Sequence, residues 1–173
     1  TLMLVHLPRM SAMRLSWVGS RCWTTTNAIP LSEGMAVKNS LSASMPPAED
    51  VLTIMVTNDD GVAAEGIDLL VQGLSALPDT EVVVVAPAAN QSGTGGSTTD
   101  GELVVSEATT ASGVDATSVE GFPADTVVWA FDQGGLDELP DLVVSGVNFG
   151  QNIGPFVELS GTVGAARAAG ERG

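Results

Sequence analysis

Apolar residues are distributed differently on the two sides of residue 50. From position 51 onward, short apolar runs alternate with stretches whose apolar residues recur every three to four positions. "VLTIMVT" (51–57) is too short for a free-standing helix and apolar at successive positions, which predicts a strand buried on both faces. "GIDLLVQGLSAL" (66–77) puts Ile67, Leu70, Val71, Leu74 and Leu77 on one stripe of an amphipathic helix, which Pro78 and Asp79 end. "EVVVVAP" (81–87) predicts a second buried strand. Strand, helix and strand in this order form a right-handed crossover and imply a parallel sheet.

A polar, glycine-rich loop, "NQSGTGGSTTDG" (90–101), comes next. It is followed by predicted strands at "ELVVSE" (102–107) and "DATSVE" (115–120) and a short helix over "PADTVVWAF" (123–131) with Trp129 in the core. "PDLVVSG" (140–146) reads as another parallel-type strand, and "GTVGAARAAG" (161–170) as a helix with a small-residue face suited to close packing. The predicted fold class is α/β, a Rossmann-like layered fold with a mainly parallel sheet. The last helix runs to the end of the sequence, where an open sheet would continue into another strand. Residues 51–173 therefore read as the N-terminal part of a domain that is incomplete at its C-terminus.

Residues 1–50 show no period of 2 or 3.6 and read as a poorly ordered leader or an extension foreign to the domain. "MSAMRLSWVGSRCW" is interrupted by Arg14 and Ser16, so it lacks the apolar core of a secretory signal. The expected compartment is the cytoplasm, with secretion through this segment as the alternative.

With 173 residues, 44% of them hydrophobic, the chain has room for one domain and its core. No apolar stretch is long enough to span a membrane, so no membrane partner is expected. Charge sharpens the picture. Of the 6 basic and 21 acidic side chains, Arg9, Arg14, Arg21 and Lys38, with Glu33, Glu49 and Asp50, precede residue 51. That leaves Arg167 and Arg172 against eighteen acids, a net of −16 for residues 51–173. Such a field argues against duplex nucleic acid as a partner, because neutralising phosphates takes Lys and Arg. A small anion held through a metal ion is compatible with it. Cys22 and His6 are the sole cysteine and histidine, which argues against disulfides, Cys-based zinc and histidine-based triads.

The candidate chemistry lies just after the predicted strands. Asn58, Asp59 and Asp60 follow the first; Asn90, Gln91 and Ser92 follow the second; Ser145, Gly146 and Asn148 follow the strand at 140–144. In an open parallel sheet, ligands bind beyond the carboxyl ends of the strands, so the three clusters can meet. Two adjacent carboxylates repel unless a cation lies beside them, and Ser and Asn oxygens complete a shell suited to Mg²⁺, Mn²⁺ or Ca²⁺. The competing reading of "DDG" is a turn that leaves acidic charge at a helix N-terminus. The glycine-rich loop has a plain reading as a connector and matches no Walker A pattern. "SGT" (160–162) opens a helix, which suits either a bound phosphate or a simple serine cap.

Taken in order, "TNDDG", "APAANQSGTG", "VVSGVNFGQNIG" and "ELSGTVGAARAAG" resemble the SurE (survival protein E) family of metal-dependent phosphatases that act on nucleoside monophosphates. The resemblance spans about positions 52–172. It implies Mg²⁺ or Mn²⁺ held by Asp59, Asp60, Ser92 and Asn148, with catalysis at Asp59 and Asp60. Asp59 would act as nucleophile or as activator of water. It further implies that Asn58, Gly93, Asn152, Ser160, Gly161 and Thr162 shape the phosphate pocket. The partner is then a small phosphate ester, and the longer protein a homo-oligomer through later strands and a C-terminal arm that have no counterpart here. Ala88 and Ala89 stand where many members carry basic residues, and "NQSGTG" is nearer the acid-phosphatase-like branch. Broad-specificity acid phosphatase and a non-catalytic nucleotide- or metal-binding module are the alternatives. A dinucleotide oxidoreductase is disfavoured, because carboxylates replace the glycine fingerprint after the first strand.

Overall fold

The computed structural model describes residues 2–6 and 51–172. One six-stranded sheet is formed by β1 (Met3–His6), β2 (Leu52–Thr57), β3 (Thr80–Pro87), β4 (Val104–Thr109), β5 (Asp115–Glu120) and β6 (Leu142–Ser145), in the order β1-β6-β2-β3-β5-β4. The four inner strands are parallel, and each edge strand runs antiparallel to its neighbour. Helix α1 (Glu65–Ser75) covers one face, where Ile67 and Val71 pack on Ile54, Val56, Val84 and Val144. Helices α2 (Pro123–Asp132) and α3 (Gly161–Gly170) cover the other, over Met55, Val85, Val119 and Val143. Alternate residues of β2 and β6 thus enter opposite cores, which is why both strands read as unbroken apolar runs. The expected α/β Rossmann-like layering is the fold observed.

Four details differ from the sequence reading. Residues 3–6 lie in the segment read as a leader, yet they form β1 on the open edge of β6; four residues are too few to show a period. The rest of that leader, residues 7–50, lies outside the described residues. Strand β4 sits two residues later than expected, because the Gln133 side chain accepts from Leu103 N and donates to Gly101 O, holding that stretch off the ladder. Helix α1 stops at Ser75, since the residue before Pro78 disfavours the helical region; Leu77, the last of the stripe, is 49% exposed. Trp129 is half-buried at the border of the core, packed against it without being enclosed.

Strand order reverses at β2, with β3 on one side and β6 on the other. A crevice beyond the carboxyl ends of β2 and β6 is the expected ligand position in such a sheet. The loops after β2, β3 and β6 and the N-terminus of α3 meet there. Among the described residues no helix is long and apolar enough to cross a membrane.

Candidate active site

The turn after β2 is built by its own side chain. Asn58 is fully buried; its Nδ2 donates to Gly61 O at 2.9 Å, and its Oδ1 accepts from Gly61 N at 3.2 Å. Gly61 has φ +104°, and a Cβ there would press on Ala89 C at 3.2 Å, so the residue must be glycine on both counts. This locks Asp59 and Asp60 at the strand end. The loop after β3 is tied down by Gln91 N donating to Asp59 O at 2.7 Å and by Gly95 N donating to Leu159 O at 3.0 Å. Gly164 of α3 lies against Gly95 O so closely that any Cβ would clash.

Beyond the strand ends lies a cleft of about 260 Å³ lined by Asp59, Asp60, Ser92 and Asn148 together with Gly93, Asn152 and Ser160. Seven of the ten residues singled out in the sequence therefore share one wall. The other three stand behind it. Asn58 closes its turn, Thr162 Oγ1 donates to Asp59 Oδ1 at 2.7 Å, and Gly161 is wedged against Asp59 and against Pro123 at the start of α2. A Cβ on Gly161 would lie 2.7 Å from both Asp59 Cβ and Pro123 Cγ. Ser160 caps α3, its Oγ accepting from Val163 N at 3.2 Å, and it also faces the cleft, so the cap and pocket readings coexist.

The two aspartates differ in surroundings. Asp59 is 3% exposed, and among the described residues its Oδ2 accepts from none. Asp60 is half-buried; its Oδ1 accepts from Asn90 Nδ2 at 3.1 Å and its Oδ2 from Phe149 N at 3.1 Å. Each Asp60 oxygen keeps a lone pair. The described cations, Arg167 and Arg172, are committed elsewhere, to Glu158 at 2.7 Å and Asp132 at 2.5 Å. These partners hold the Glu158 and Asp132 carboxyls below, and both guanidiniums above, their ordinary values, chiefly through the hydrogen bonds between them. Negative charge in the cleft thus has no protein counter-charge among the described residues. The donor set, two carboxylates with a hydroxyl and a carboxamide oxygen, fits a hard divalent cation. No group of three His, Cys, Asp or Glu able to hold a metal occurs among the described residues, so neutral oxygens would have to complete any such shell.

Sequence reasoning passed over part of the site. The outer wall comes from the 3-10 helix Gly154–Leu159, through Phe156 and Leu159, and Gly154-Pro155 was its available signal, since proline favours the first turn of a helix. Asn90 links Asp60 to Ser92, a contact its place in the cluster after β3 does not reveal. Buried Asp125 accepts from Thr99 N at 2.8 Å, Thr99 Oγ1 at 2.7 Å and Phe122 N at 2.8 Å, which fastens the far end of the glycine-rich loop to α2.

Comparison with known proteins places the chain in a family. The family model "Survival protein SurE" matches residues 54–173. The chain is similar to the protein named 5′-nucleotidase SurE from Methanopyrus kandleri, 47% identical over 119 residues that make up 68% of this chain and 44% of that one. It is also similar to its namesake from Vibrio parahaemolyticus, 45% identical over 116 residues, 66% of this chain and 43% of the other. The crystal structure of the SurE protein from Aquifex aeolicus aligns with a TM-score of 0.57 at 36% identity, covering 68% of this chain and 46% of its own. This chain spans a little under half the length of the curated relatives it matches. The family model covers well over half of the chain, and the fold of a solved member matches: the chain belongs to the SurE family.

Proposed function

We propose that the protein is a metal-dependent phosphomonoesterase that hydrolyses nucleoside 5′- or 3′-monophosphates to nucleoside and phosphate. The observation that carries this is the convergence of Asp59, Asp60, Ser92 and Asn148, from three separate strand ends, on one cleft where the described residues supply no cation. The relatives' name, 5′-nucleotidase, points to the same chemistry.

In this reading Asp59, Asp60, Ser92 and Asn148 hold Mg²⁺ or Mn²⁺, which when bound supplies Lewis-acid polarisation of the phosphoryl group. The first N–H groups of a helix have no acceptor within it, so the start of α3 at Ser160, Gly161 and Thr162 receives the non-bridging phosphate oxygens, helped by its dipole. Gly93 and Asn152 flank the phosphate from the facing loops. Thr162 fixes Asp59 through Oδ1 and leaves Oδ2 to act. Either it attacks phosphorus as the P–O bond to the nucleoside breaks, water then hydrolysing the acyl phosphate, or it takes the proton of a water that attacks as that bond breaks. In both cases the nucleoside oxygen leaves with a proton from water. Gly161 lets the helix end approach that carboxylate. The same reading makes the longer protein a cytoplasmic homo-oligomer.

The test is phosphate release from nucleoside 5′- and 3′-monophosphates and p-nitrophenyl phosphate, with and without Mn²⁺ or Mg²⁺, on this chain and on one extended past Gly173. Release that requires the metal and favours nucleotides is expected. Equal rates on all esters would redirect the reading to a broad acid phosphatase, and silence from folded, metal-loaded protein would leave a binding module.

A further inference from the structure

Asn90 is exposed, lies outside the cleft wall and belongs to none of the roles assigned above, yet it joins two residues that do. Its Nδ2 donates to Asp60 Oδ1 at 3.1 Å, and its Oδ1 accepts from Ser92 N at 3.0 Å. The orientation of the amide follows from chemistry alone. A carboxylate only accepts and a backbone N–H only donates, so the nitrogen must face Asp60 and the oxygen Ser92. Asp60 and Ser92 lie on different loops, after β2 and β3, and among the described residues this side chain and the Gln91 contact to Asp59 O are the hydrogen bonds that hold the second loop to the aspartate pair.

We infer that Asn90 is a positioning residue for cation binding: its carboxamide fixes the Asp60 carboxylate and the Ser92 hydroxyl relative to each other. The inference rests on the metal-dependent reading above. Asp60 is then held on both oxygens, by Asn90 at one and by Phe149 N at the other, so one carboxylate joins the loops after β2, β3 and β6. Outer contacts of this kind orient a ligating carboxylate, and their loss commonly weakens metal binding roughly 10–100-fold. A neutral bridge with a donor at one end and an acceptor at the other is a property of Asn at this distance. Asp would keep the acceptor toward Ser92 N and place an oxygen against Asp60.

That difference supplies the test. Binding of Mn²⁺ alone, followed by its electron paramagnetic resonance signal, is measured for the wild type, Asn90→Ala and Asn90→Asp, alongside melting in metal-free buffer. Both variants are expected to bind Mn²⁺ about 10–100-fold more weakly, with metal-free melting unchanged. Asn90→Asp is the sharper variant, because a residue acting only as a turn former or as a source of charge would bind Mn²⁺ equally well or more tightly when made acidic, and that result overturns the inference. So does a loss of binding that merely tracks a loss of melting temperature. A wild type that binds no Mn²⁺ sinks instead the metal-dependent reading, so the two failures are distinguishable.

Discussion

Asp59 and Asp68 flank the same turn between β2 and α1 and are almost equally buried, at 3% and 7% exposure, but they are treated in opposite ways. Asp68 is saturated: Thr110 Oγ1 at 2.5 Å, Ser112 N at 3.0 Å, Ser112 Oγ at 2.6 Å and Gln72 Nε2 at 2.8 Å all donate to it. The Ser112 and Thr110 hydroxyls, ahead of the Ser112 amide, hold its carboxyl down at about 2. It pins α1 to the β4–β5 turn. Among the described residues, Asp59 receives one hydroxyl, from Thr162, and it opens onto a cleft at a helix N-terminus. A buried carboxylate surrounded by donors is a structural tie, whereas one left short of donors keeps binding capacity for something the protein does not itself supply.

The strongest way to break this contrast is Asp59→Asn, which keeps size and removes charge. Metal-dependent phosphate release is expected to fall by at least about 10³-fold, the scale seen when a central catalytic group is removed. Metal-free melting should hold or rise, since the change removes a buried charge with no cationic partner among the described residues. Full activity in this variant would end the assignment of Asp59 as catalytic.

How far the contrast could be read in advance differs between its halves. The βαβ start was legible because strands buried on both faces and a helical stripe are local patterns, and the open-sheet rule then placed the loops after β2, β3 and β6 together. The ties were not legible. Asp68 to Thr110, Asn90 to Asp60 and Asp125 to Thr99 join residues 26 to 42 positions apart through short polar side chains, a relation no period encodes. The place of Asn58 at the phosphate pocket is what the family resemblance implies, and the turn it closes is a separate, local contact. Nothing in "TNDDG" indicates that its amide turns back on Gly61 rather than outward. The 3-10 helix Gly154–Leu159 hid because Phe156 and Leu159 are 64% and 54% exposed, so it has no buried stripe to show.

Gly161→Ala sharpens the Asp59 side. The added methyl would lie 2.7 Å from Asp59 Cβ and Pro123 Cγ, so α3 must retreat or the carboxylate must turn. Overpacking of this kind costs about 1–3 kcal/mol. Turnover should fall more than the melting temperature alone accounts for. A variant as active and as stable as the wild type would show that the close approach of α3 to Asp59 is not required.

Asp68→Asn probes the other half. Because folding lowers this carboxyl from 3.8 to about 2, its contribution is fully present above the unfolded value and is lost as pH falls from about 4 through 2. The substitution should lower melting at pH 7 and flatten the acid side of the stability curve, while metal-dependent turnover of the folded protein stays unchanged. Acid sensitivity identical to that of the wild type would show that other carboxylates govern it.

The smallest effect is expected at Arg167. Its guanidinium meets both Glu158 oxygens, at 2.7 and 2.8 Å, but the two side chains are 53% and 69% exposed, so water and salt screen the pair. Arg167→Gln should barely move the melting temperature, and less still in high salt. The experiment has weight because Glu158, the partner of Arg167, directly precedes Leu159 and Ser160 of the cleft. If Arg167 is spent on Glu158, turnover and its metal dependence are untouched in the variant. If metal-dependent hydrolysis collapses in a variant that melts normally, the acidic cleft draws on a protein cation after all, and the contrast between a saturated and an unsaturated aspartate no longer marks the site.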